Sequence, residues 1–222
     1  MKKIVFSFLS IALLAGVSSC GKTTKGKMSN DWKVTSYEET ATYVDADGDK
    51  NVNTISANES TITSTSVTTP SGGTSTTNTQ TGTINEHTLT MKKDGTWIWI
   101  RNMSTSVGTS NNSIVTNNIS ETSGTWSFVG KSKDEDFKKN ERILFNVLKS
   151  KNTSTETLNQ TTQISSYSNT NTYLTGENVM IYTVTESKKK ELTLEIEENS
   201  SNTQGSDVST NSRTAKVTLK EK

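Results

Sequence analysis

In the stretch DADGDKN, Asp45, Asp47 and Asp49 alternate ahead of Asn51 around Gly48. Oxygens spaced this way on a tight turn are what a hard divalent cation such as calcium binds. Lys50 stands where a helix–loop–helix calcium loop carries its glycine, and Ser56 where it carries its bidentate glutamate. The stretch is therefore read as a solvated hairpin turn after Val44, with no metal. His87 is the only histidine, so no site of two or more imidazoles can form. No nucleophile motif flanks it in TINEHTLT, and it is read as an exposed histidine on a strand. The chain has no phosphate-cradling glycine loop and no Ser-x-x-Lys motif. No catalytic residue is assigned and no cofactor is implied; a carboxylate pair for glycoside hydrolysis stays open, because such groups need not be close in sequence. The aromatic residues remain. Trp97 and Trp99 in DGTWIWIRN, and Trp126 and Phe128 in SGTWSFVGK, alternate and so share a strand face. They can wall an apolar ligand pocket or pack as core, and are the candidate ligand-binding residues.

The only cysteine, Cys20, follows an apolar run from Ile4 to Val17, itself preceded by Lys2 and Lys3. That run is short of the about 20 residues that cross a hydrocarbon core, so residues 1–19 read as a signal peptide. Gly16, Val17, Ser18 and Ser19 ahead of the cysteine resemble the lipobox of a bacterial lipoprotein. The resemblance implies cleavage before Cys20, acylation of its thiol and new amino end, and a stable membrane anchor, since one acyl chain alone holds only marginally. Residues 20–30 then form a polar lipidated tether. Gly21, rather than aspartate, follows the cysteine and no acidic run comes after it, which points to the periplasmic face of the outer membrane.

Composition sets the class of the mature chain. Loss of Lys2 and Lys3 takes the formal net charge from +1 to about −1, so no strong field recruits nucleic acid. Leu, Ile, Val and Phe fall below the fifth of residues that flags disorder, yet the low net charge and abundant β-branched threonine favour strands with a thin core. In ELTLEIEE, Leu192, Leu194 and Ile196 share one face. In RTAKVTLKEK, Ala215, Val217 and Leu219 do the same. ERILFNVLK and ENVMIYTVTES are apolar on both faces and need cover on both. The Thr/Ser-rich stretch around Pro70–Gly73 is expected to project as a hairpin beyond the main sheet, and KSKDEDFKKNE to be a charged loop over Phe137. No amphipathic helix of useful length follows the signal.

From Trp32 to Lys222, the segments NDWKVTSYE, LTMKKDGTWIW, GTWSFVGKSKDEDFKKNERILF and IYTVTESKKKELTLEIEE resemble the lipocalin-like domains of bacterial lipoproteins. The resemblance implies one all-β domain over residues 31–222, an antiparallel up-and-down barrel of about 8–10 strands with long polar hairpins. It also implies that Trp32 plugs the closed end. Two functions are expected from it. One is a monomeric envelope lipoprotein holding a small apolar or amphipathic ligand in its barrel. The other is a non-catalytic structural or interaction lipoprotein with a filled barrel, whose Thr/Ser-rich hairpins meet envelope proteins or glycans.

Overall fold

Threonine-rich alternation with a single proline produces strands and little else in the computed structural model, which describes residues 24–109, 112–130, 141–159, 161–188, 190–204 and 207–222. Residues 1–19, read above as a signal peptide, and also Cys20 and Phe137 lie outside the described residues. A short helix α1 (Thr24–Met28) leads into β1 (Asp31–Val44), β2 (Lys50–Ala57), β3 (Thr61–Thr69), β4 (Thr76–Met91), β5 (Thr96–Thr109) and β6 (Asn112–Gly130). The remaining strands are β7 (Glu141–Leu158), β8 (Thr162–Thr172), β9 (Val179–Lys188), β10 (Glu191–Gln204) and β11 (Asp207–Glu221). They run antiparallel in the order β6-β5-β4-β3-β2-β1-β11-β10-β9-β7, and β6 pairs with β7 to close a ten-stranded barrel, leaving β8 outside on β7.

The ring is tighter at one end. There β1 pairs directly with β4 through Asp31–Lys33, and the β2–β3 hairpin is spliced between them only beyond that point. The Pro70–Gly73 turn thus closes a piece of barrel wall. The expectation of a hairpin projecting beyond the sheet is corrected for β3, which is paired along its length by β2 and β4, whereas Thr76–Gly82 of β4 borders β3 alone because β5 joins only from Thr83. Beyond Asn146, β8 takes the place of β9 along β7, and among the described residues no ladder joins β8 to β10. The wide half of the barrel is slit on that side.

Strand alternation distributes the core. Trp32, Leu89, Met91, Trp97, Trp126, Ile143, Phe145, Leu192, Leu194, Val217 and Leu219 fill the narrow half. Met28 of α1 is 1 % exposed, and its carbonyl accepts the Trp32 indole N–H at 2.9 Å, so helix and tryptophan together stop the narrow end. Further along the same inward rows, β3 carries Ser64 and Ser66 and β4 carries Gln80 and Asn78, which leaves the wide half a solvated polar cup. Outside, Leu144 pairs with Ile181, which is 45 % exposed, so the second face of these strands lacks the cover that their composition calls for.

Irregularities of register position the interior. A bulge between Val34 and Ser36 shifts the inward face of β1 from even to odd residues, so Tyr37 and Glu39 point inward beyond it. A second, at Leu148 on β7, brings backbone against Gly124 of β6: a Cβ there would stand 1.9 Å from the Asn146 carbonyl oxygen. Gly124→Ala should therefore prise β6 from β7, with a loss toward the upper part of the about 1–3 kcal/mol of ordinary overpacking. Chemical denaturation of the variant measures it, and parental stability would show that β7 yields easily there.

Candidate functional site

Where the apolar core meets the polar cup, the interior holds a cleft of about 250 Å³ walled by Tyr37, His87, Trp97, Trp99, Tyr182 and Arg101, among others. On β5 the inward row rises from Trp97 through Trp99 to Arg101, so the cleft has an aromatic floor and a charged rim. Trp99 stands 6.3 Å from the Tyr37 ring in an edge-on arrangement, and 6.4 Å from Tyr182. Both indoles of the TWIW segment point in, with Ile98 and Ile100 outward. Trp126 and Phe128 do not line the cleft. Trp126 sits nearer the stopped end, its indole N–H on the Lys92 carbonyl at 2.9 Å, and Phe128 packs half-buried against the core.

His87 overturns its reading as an exposed strand residue. A bulge between Ile84 and Glu86 sets it in the inward row of β4 with Leu89 and Met91, and it is 4 % exposed. Its ring lies 5.8 Å from Tyr37 and 6.0 Å from Trp99. Its buried Nδ1 has no hydrogen-bond partner among the described residues. Burial, and then the neighbouring charge of Arg101, lower its pKa to about 4, so the imidazole is neutral at physiological pH.

Arg101 is the cross-strand neighbour of His87 and is half-buried. Among the described residues it forms no hydrogen bond or ion pair. The other guanidinium at the cleft, Arg213, is fully engaged. It donates to Glu39 at 2.9 and 3.2 Å and to Glu198 at 3.2 Å. The Tyr37 hydroxyl donates to the same Glu39 oxygen. Burial, reinforced by Glu39, raises the Tyr37 phenol well above its ordinary range, and burial pushes Tyr182 up to about 12. Burial opposes the charge of Arg213, but the Glu39 carboxylate bonded to it outweighs this and holds the guanidinium charged. Strands β1, β10 and β11 thus carry a satisfied polar network on one side of the cleft, facing an unsatisfied pair on β4 and β5.

A larger depression, about 1120 Å³, lies on the outer wall and includes Glu38, Glu195, Glu197, Arg142 and Lys216. It has no aromatic wall, and Lys216 is paired with Glu195 at 2.9 Å. The interior cleft is the better candidate, because aromatic walls, the unpartnered Nδ1 of buried His87 and the half-buried Arg101 meet in it. Comparison with protein-family models, curated proteins and solved structures finds no match for this chain.

The acidic turn behaves as a turn. Asp45 Oδ1 accepts the backbone N–H groups of Asp47 and Asp49 at 3.1 and 2.8 Å, and Asp49 Oδ1 accepts that of Ser71 at 2.7 Å. Gly48 supplies the left-handed φ of +86° that the turn requires. Among the described residues no group of three acidic, histidine or cysteine side chains is placed to hold a metal.

Proposed function

We propose that this protein is a non-catalytic binding lipoprotein. Cys20 anchors it in the outer membrane facing the periplasm, and its barrel takes up a small amphipathic molecule. The observation that carries the reading is the interior cleft, with aromatic walls at Trp97, Trp99 and Tyr182 below a polar rim. Aromatic walls with a few convergent polar groups are the usual build of a small-molecule site. The anchor rests on the lipobox-like residues before Cys20. The filled narrow half and the wholly exposed β8 support a second reading, in which the barrel is a spacer and the Thr/Ser-rich strands are an interaction surface.

Native mass spectrometry of the full chain, gently released in detergent, separates the two. A binding protein should carry an adduct beyond its acyl chains, and Trp99→Ala should reduce occupancy roughly tenfold by removing one aromatic wall. Ile100→Ala, on the outer face of the same strand, should leave occupancy unchanged. A parent without any adduct, and without saturable uptake of added octanoate or 1-octanol, would favour the spacer.

A further inference from the structure

We infer that the occupant of the cleft carries one negative charge, a carboxylate set against Arg101 and His87 at the rim, with its apolar body directed down toward Trp97. The inference rests on the binding reading above and specifies its ligand class. Of the two guanidiniums lining the cleft, Arg213 is neutralised by Glu39 and Glu198, whereas Arg101 has no counter-ion among the described residues. A half-buried cation facing an aromatic cavity loses hydration and, without an anion, recovers little of it. Beside it, the buried Nδ1 of His87 has hydrogen-bonding capacity that no described group uses.

The side of the cleft matters. Glu39 and Glu198 belong to β1 and β10, and the Tyr37 hydroxyl and Arg213 already occupy them, so the carboxylate end is directed to the β4–β5 wall. Guanidinium presents paired N–H donors to a carboxylate, which fixes orientation as well as charge. Below the rim, Trp97, Trp99, Val147, Met180 and Tyr182 offer apolar or aromatic surface and a phenol, with Thr122 and Asn178 beside them. At the roughly 30 Å³ that a water molecule occupies in the liquid, 250 Å³ accommodates about eight methylene-sized groups. An eight-carbon carboxylate matches that volume, and a longer chain would have to emerge into the cup.

Octanoate and 1-octanol share the chain and differ in the charged end. Each is titrated into the full chain in a mild nonionic detergent, with a matched micelle titration subtracted and tryptophan fluorescence as the readout. Octanoate should bind on the order of ten- to a hundred-fold more tightly than the alcohol, the range of a charge-assisted hydrogen bond. Arg101→Gln should abolish that preference, because the alcohol has no carboxylate for the guanidinium to hold. Arg101→Lys, which keeps the charge and loses the fork, should retain part of the preference. Equal affinity of the parent for the two compounds would overturn the charge assignment and leave the apolar cleft standing. Binding of neither compound would remove the binding reading itself, and the parental titrations decide this even if a variant folds poorly.

Discussion

Trp126→Ala should lower the unfolding free energy by about 3–5 kcal/mol, a large share of the roughly 5–15 kcal/mol that holds a typical domain together. Trp126 is 3 % exposed and pairs across the barrel seam with Phe145 of β7. Its side chain and backbone both hold the β4–β5 turn. The indole N–H reaches the Lys92 carbonyl at 2.9 Å and its backbone N–H reaches that of Gly95 at 2.7 Å. Alanine would keep the backbone bond, lose the indole bond and leave a cavity in a core with few large residues to collapse into it. For a chain of this size the melting temperature should fall on the order of 10 °C. Trp126→Phe should restore most of the apolar contact, but leave the Lys92 carbonyl without the indole donor. Equal stability of Trp126→Ala and the parent, measured by denaturant unfolding, would contradict the packing at the β6–β7 closure.

The residues around that seam also show what could be read before folding. Alternation in ELTLEIEE and RTAKVTLKEK puts Leu192, Leu194, Ile196, Ala215, Val217 and Leu219 inward, and each is buried. Carried two residues further, the same parity would have placed Arg213 inside the barrel, and on β5 it would have placed Arg101 above Trp99. Those charges were legible in principle, and the expectation that charge faces water hid them. Glu39 and His87 were not legible by alternation alone. Each lies just beyond a bulge, at Val34/Ser36 and at Ile84/Glu86, where one extra residue changes the face of the residues after it. The splice of β2–β3 into the wall depends on pairings between distant segments, which local periodicity does not encode. The acidic turn was fully local, and its backbone hydrogen bonds follow from aspartate next to glycine.

Acidification tests the buried histidine. The unfolded chain takes up a proton on His87 near its ordinary pKa of 6.5, whereas the folded chain does so only near 4. Between these values the unfolded state binds more protons, so stability should fall as pH drops through the window and level off below it. A gap of about 2.5 pKa units corresponds to roughly 3 kcal/mol at the acid end. Denaturant unfolding of the parent and of His87→Gln from pH 7.5 to pH 4 isolates this term, because the carboxylates are common to both chains. The parent should lose about 3 kcal/mol more than the variant. Matching pH profiles would mean that the imidazole finds a proton-accepting partner or water when folded, and is not sealed between Tyr37 and Trp99. An anion seated at Arg101 acts in the opposite sense: it offsets the cation that disfavours the imidazolium and supplies that imidazolium with a partner. Above about pH 5, where a carboxylate ligand stays ionised, saturating octanoate should therefore reduce the acid loss of the parent more than that of His87→Gln, tying the protonation of one buried side chain to occupancy of the cleft.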